Sequence, residues 1–180
     1  DRTLYESHLK YIKDQIKLGN TYQVNYTLRK HSNTIYNPYG FFLEKAQDAP
    51  YAAFIESDEH TVISMSPELF FKLNGESLIC KPMKGTSKRG KTLNEDIALM
   101  EELKNSEKDK AENIMITDML RNDMGKISDT GSVKVLSEFD IEKYPTVWQM
   151  TSSIESQASA SITGIFEALF PCASVTGAPK

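Results

Sequence analysis

Leu69-Phe70-Phe71-Lys72-Leu73-Asn74-Gly75-Glu76-Ser77-Leu78-Ile79-Cys80-Lys81-Pro82-Met83-Lys84-Gly85-Thr86 decides the fold. Leu69–Leu73 reads as a strand, Asn74-Gly75 as a hairpin turn, and Glu76–Met83 as the returning strand. The returning strand predicts Lys84 at its end, beside a Gly-Thr bend. A strand end followed by glycine lets backbone N–H groups approach an anionic ligand. A lysine there can clamp an anion, act as a nucleophile, or sit in a solvated loop with Lys88, Arg89 and Lys91.

The neighbouring segments extend the pattern. Tyr51–Glu56 and His60–Met65 predict two strands before the hairpin, and Thr21–Arg29 alternates as an earlier one. Gly131–Phe139 and Tyr144–Ile154 predict later strands. Residues 3–18 carry Leu4, His8, Leu9, Ile12 and Ile16 at helical spacing, with Gly19 as a stop. Pro38 opens a short helix to about Gln47. Thr92–Leu103, Glu107–Met124 and Ile162–Phe170 predict three more, and Ser87–Lys91 and Glu155–Ser161 predict loops. Hairpin-linked strands and separately grouped helices point to an α+β fold with antiparallel sheets.

The chain has 180 residues, 39% hydrophobic and 26% charged, as expected of one globular domain. A net charge of −4 and a pI of about 5.5 argue against nucleic acid as a partner. The cluster Lys81, Lys84, Lys88, Arg89 and Lys91 suits a small anion or is simply solvated. Cys80 and Cys172 lack metal-ligand spacing, so reduced thiols and a cytoplasmic location are expected. No apolar run reaches the roughly 18 residues of a membrane span. Both ends are abrupt, which predicts a domain truncated at both ends.

Asp109 and Glu112 lie three apart on a predicted helix, so their carboxylates share a face. Such a pair can hold Mg²⁺ or belong to an ordinary charged surface. Arg121-Asn122-Asp123 reads as a helix-end cluster or a site wall. Gly177-Ala178-Pro179-Lys180 reads as a tight turn that can present N–H groups and a cation. The three histidines have no partner spacing, and no GxSxG, GxGxxG or P-loop occurs.

Five segments, in order, resemble the chorismate-utilising enzymes. They are Tyr22-Gln23-Val24-Asn25, Ser66-Pro67-Glu68, Pro82-Met83-Lys84-Gly85-Thr86, the stretch from Asp109 through Glu112 to Arg121-Asn122-Asp123, and Thr176-Gly177-Ala178-Pro179-Lys180. Lysine at position 84 makes the chain most similar to the aminodeoxychorismate branch. Anthranilate synthases usually carry alanine there. Gln23, in place of a water-activating lysine, separates it from isochorismate and salicylate synthases.

The resemblance implies about half of a layered α/β/β/α sandwich of large antiparallel sheets. It implies amination of chorismate to 4-amino-4-deoxychorismate, for p-aminobenzoate and folate synthesis, with ammonia from a glutamine amidotransferase and with Mg²⁺. Lys84 would attack ring C2 as the C4 hydroxyl leaves, and ammonia would then add at C4 and expel the lysine. Attack needs the free amine, and Lys81 is a possible neighbouring cation. Glu112 matches a Mg²⁺ ligand. Asp109 stands where glutamate is usual and could reach the ion through a water. Gly85 and Thr86 match the turn beside the substrate. Gln149 stands where anthranilate synthases have histidine, and Ser174 where threonine is usual; both would hydrogen-bond substrate. The 180 residues alone are expected to be inactive. The alternatives are anthranilate synthase component I and a non-catalytic chorismate-binding or scaffold fragment.

Overall fold

A computed structural model describes residues 2–31 and 37–179. The elements run α1 (Arg2–Lys17), β1 (Gln23–Val24), α2 (Pro38–Lys45), β2 (Tyr51–Glu56), β3 (Thr61–Ser66), β4 (Leu69–Asn74), β5 (Ser77–Lys81) and β6 (Met83–Lys88). They continue with α3 (Leu93–Asn105), α4 (Glu107–Gly125), β7 (Lys134–Lys143), β8 (Val147–Gln157), α5 (Ile162–Leu169), α6 (Ala173–Thr176) and β9 (Gly177–Ala178). Every strand pairing among the described residues is antiparallel, as the α+β reading expects.

β8 organises the main sheet. β7 pairs along one edge, and β5 and β6 follow one another along the other, broken by Pro82. β4 closes the far side against β5 through the expected hairpin, with Gly75 at φ 61° in the turn. β2 and β3 form a separate two-stranded sheet, and β1 pairs with β9.

Side-chain caps start the helices. Thr92 accepts from the Glu95 N–H, Ser106 from the Asp109 N–H and Ser161 from the Gly164 N–H. Asn37 caps α2, with proline in its first turn. The core joins β5 and β8 to α4 and α5. Leu78, Cys80 and Ile154 meet Ile116, Leu120, Met124, Ile165 and Leu169 there. Each such aliphatic side chain contributes roughly 1.5–3 kcal/mol on leaving water. Both cysteines are free thiols, and burial pushes the Cys80 thiol up to about 12. No helix among the described residues is long and apolar enough to cross a membrane.

Several boundaries differ from expectation. Lys84 is the second residue of β6, not the bend after a strand, because the chain resumes pairing with β8 after Pro82. The expected loop at Ser87 is therefore still strand. β8 runs on to Gln157, pairing with β5, so the loop expected from Glu155 starts later. β7 spans Lys134–Lys143, shifted from the expected Gly131–Phe139. The strand expected over Thr21–Arg29 shrinks to Gln23–Val24, since β9, its partner, has only two residues.

Candidate active site

Lys84 is placed by an irregularity in β6. Met83 pairs with Thr151 and Thr86 with Gln149, so β6 carries one residue more than β8 between those pairs. Such a bulge re-aims a side chain. Gly85 makes it possible with φ 103°, and a Cβ there would lie 3.0 Å from the Asp109 Cβ and 3.1 Å from the Met150 Cβ. A side chain at 85 would crowd Asp109 and Met150, which would have to give slightly, and would strain the backbone at this positive φ.

Glu68 is a buried carboxylate within electrostatic reach of Lys84. It follows β3 in a turn where the Ser66 hydroxyl accepts from the Glu68 N–H at 3.1 Å. The Glu68 carboxylate accepts from the Met83 N–H at 3.4 Å. Burial raises the Glu68 carboxyl above its ordinary value, opposed by the Ser174 hydroxyl, the Met83 N–H and the charge on Lys84. Ser174 is buried on α6, its hydroxyl 3.1 Å from the Cys172 sulfur, and Asn25 Nδ2 donates to its carbonyl at 3.0 Å. Ser174 thus hydrogen-bonds Glu68, and the charge on Lys84 acts on the same carboxyl. A cavity of about 390 Å³ opens there, with Ser66, Glu68, Phe70, Phe166, Cys172 and Ser174 in its wall. That volume suits a small organic ligand.

Thr86 and Gln149 form a second group. The Thr86 hydroxyl donates to Gln149 Oε1 at 2.9 Å across the β6–β8 pair. Gln149 lines a separate cavity of about 240 Å³ with Pro67 and Tyr144. These two residues therefore meet each other but do not line the cavity at Glu68.

Asp109 and Glu112 of α4 serve different ends. Asp109 accepts from the Ser106 hydroxyl while Ser106 Oγ accepts from the Asp109 N–H at 3.3 Å, a reciprocal helix cap. Glu112 is half-exposed, 3.9 Å from Lys108. Among the described residues no three His, Cys, Asp or Glu side chains converge on one point. Mg²⁺ takes oxygen ligands, usually one or two carboxylates with waters, and of Asp109 and Glu112 it is Glu112 that has no capping role.

The basic cluster is not one anion site. Lys81 pairs with Glu142, so the cation expected beside Lys84 is neutralised by its own partner. Arg89 pairs with Asp96 and lies 4.6 Å over the Trp148 ring. At Arg121-Asn122-Asp123 the helix-end reading applies, with ion pairs from Arg121 to Asp118 and from Lys126 to Asp123. In the 177–180 segment, Gly177 and Ala178 pair with Val24 and Gln23, and a Cβ on Gly177 would sit 2.3 Å from the Gln23 carbonyl oxygen. Lys180, the cation of that segment, lies outside the described residues.

Reasoning from sequence gave Glu68 no role, although Ser66-Pro67-Glu68 is one of the five segments that carry the resemblance. A carboxylate two residues after a serine, in a turn between two strands, was the available signal.

The profile described as "chorismate binding enzyme" matches residues 1–180. The chain is 39% identical over 173 residues to aminodeoxychorismate synthase component 1 of Bacillus subtilis (strain 168), covering 94% of this chain and 37% of that protein. It is 42% identical over 185 residues to the chloroplastic aminodeoxychorismate synthase of Arabidopsis thaliana, covering 97% of this chain and 20% of that protein. Among solved structures, anthranilate synthase component I from Streptococcus pneumoniae TIGR4 superposes with a TM-score of 0.80 at 26% identity, covering 98% of this chain and 39% of that one. The chain therefore spans well under half the length of these similar proteins, and its layers are part of a larger fold of the same kind. With the profile matching from first residue to last, this chain belongs to the chorismate binding enzyme family.

Proposed function

We propose that this chain is part of an enzyme that aminates chorismate at C4, giving 4-amino-4-deoxychorismate for p-aminobenzoate and folate synthesis. The observation that carries the reading is Lys84 at the β6 bulge, within electrostatic reach of Glu68 in the wall of the larger cavity, in a chain whose relatives at 39–42% identity are named aminodeoxychorismate synthases. The Lys84 amine forms a bond to ring C2, the ring double bond shifts, and the C4–O bond breaks. Glu68, whose burial favours the protonated acid, gives the departing hydroxyl its proton, and water leaves. Ammonia then bonds to C4, the double bond shifts back, and Lys84 departs from C2. Glu68 takes a proton from the new ammonium group and is reset.

Ammonia is taken to come from a glutamine amidotransferase, as subunit or domain, and the enzyme to be cytoplasmic. Mg²⁺ would supply electrophilic activation through the ring carboxylate. Glu112 is a ligand this chain can offer, whereas the Asp109 carboxylate is engaged in the Ser106 cap. No step above is routed through the ion. Chorismate is a dianion, and among the described residues no lysine or arginine lines the larger cavity. The 180 residues alone are accordingly expected to sustain no turnover.

The test uses the complete protein with chorismate and ammonia. Lys84→Ala should abolish amination and leave chorismate binding by calorimetry largely intact. Near-normal amination by that variant would sink the nucleophile role. Anthranilate and free pyruvate as the wild-type products would move the chain to the anthranilate synthase branch.

A further inference from the structure

The bulge that places Lys84 has a second participant. Lys84 and Gly85 lie between the paired residues of β6, and Met150 alone stands between the corresponding residues of β8. Buried carbonyls at such a break need a donor from outside the ladder. Asn113, only 1% exposed on α4, is placed to donate to both strands. Its Nδ2 donates to the Lys84 carbonyl at 3.2 Å and to the Met150 carbonyl at 3.3 Å. Its Oδ1 accepts from the Ser152 hydroxyl at 2.5 Å and the Thr117 hydroxyl at 3.4 Å. The orientation of the amide is forced, because the two carbonyls can only accept. Ser152 Oγ in turn accepts at 3.4 Å from the N–H of Phe139, which holds φ 59° in the irregular part of β7. One buried amide thus ties β6 to β8 and, through Ser152, reaches β7, from the helix position next to Glu112.

We propose that Asn113 is a positioning residue for Lys84. It fixes the Lys84 backbone at the bulge, and with it the direction in which the side chain leaves the strand. The proposal deepens the reading of Lys84 as nucleophile and rests on it. A carboxylate in place of the amide would set oxygen against two carbonyl oxygens at nearly unchanged volume. Thr117→Val removes a group from the Oδ1 side alone and leaves the tie to Lys84.

The experiment compares Asn113→Asp, Ser152→Ala and Thr117→Val in the complete protein. In Asn113→Asp, kcat for amination should fall about 30-fold or more while KM for chorismate stays within about 3-fold, the pattern of a misplaced reacting group. Acylation of Lys84 by an amine-reactive ester, read by peptide mass spectrometry against Lys88 of the same strand, should rise at least about 3-fold in the same variant. Ser152→Ala should shift the Lys84 ratio in the same direction by less, and Thr117→Val should leave it unchanged. If Asn113→Asp matches wild type in both kcat and labelling ratio, the proposal is overturned. If Asn113→Asp does not fold, Ser152→Ala decides: an unchanged Lys84 ratio overturns the proposal. Equal changes at Lys84 and Lys88 also overturn it, because they mark general loosening. The labelling requires no turnover, so it judges Asn113 even if Lys84→Ala proves active and the nucleophile reading falls.

Discussion

Residues 2–66 and residues 69–178 use similar apolar patterning to different ends. In the later region Leu78, Ile116, Leu120, Met150, Ile154 and Ile165 lose all or nearly all contact with solvent. In the earlier one, no described residue of α1, α2, β2 or β3 reaches that state. Tyr11 stays 65% exposed and Ile55 60%. A helix with one apolar stripe, or a two-stranded sheet, presents a face but cannot cover it. The later region has two layers, because α3, α4 and α5 lie over a five-stranded sheet. Apolar spacing is thus a local instruction for an element. Burial needs a second layer that local spacing does not specify. α1 is held instead by a few polar and aromatic contacts, with His8 Nδ1 2.6 Å from the Tyr26 hydroxyl and the Tyr5 and Tyr26 rings 5.5 Å apart.

Substitutions should separate the two regions by size of effect. Leu120→Ala, in the covered layer, should cost about 2–5 kcal/mol in denaturant unfolding. Gly85→Ala comes next at about 1–3 kcal/mol, from its left-handed φ and the crowding by Asp109 and Met150. Glu68→Gln follows, with a sign set by pH. The raised carboxyl of Glu68 contributes stability below its unfolded pKa, and this is lost as pH rises through the folded value. The variant should therefore melt above wild type near neutrality and lose that advantage in acid, as thermal scans at several pH values would show. Tyr11→Ala, on the exposed helix, should stay within about 0.5 kcal/mol of wild type. A cost at Tyr11 equal to that at Leu120 would erase the distinction between the regions.

Legibility in the sequence followed the same divide. The β4–β5 hairpin and the long α4 were readable because Asn74-Gly75 and the helical spacing within Glu107–Met124 are local signals. The pairing of Thr86 with Gln149 was not, since it depends on how β6 and β8 align across 63 residues of chain. The bulge at Lys84 was equally hidden. It shows only when the register of both strands is known, and without it Lys84 reads as the end of a strand. Asp109 was legible as a carboxylate on the right helix face, while its use as a cap needed Ser106 seen as the residue that starts α4.

The cluster of Arg89, Asp96 and Trp148 has an optical consequence. Asp96 accepts from Arg89, from the Gly90 N–H at 2.8 Å and from the indole N–H of Trp148 at 3.0 Å, which holds its carboxyl well below the usual range. Trp148 is the chain's single tryptophan, and it pairs with Ser87 near the end of β6. Tryptophan fluorescence therefore comes from one spot, where the strand bearing Lys84 is bolted to α3. A guanidinium stacked on that indole and a carboxylate at its nitrogen set the emission, so any event that slides β6 along β8 is written into the colour and intensity of a built-in dye.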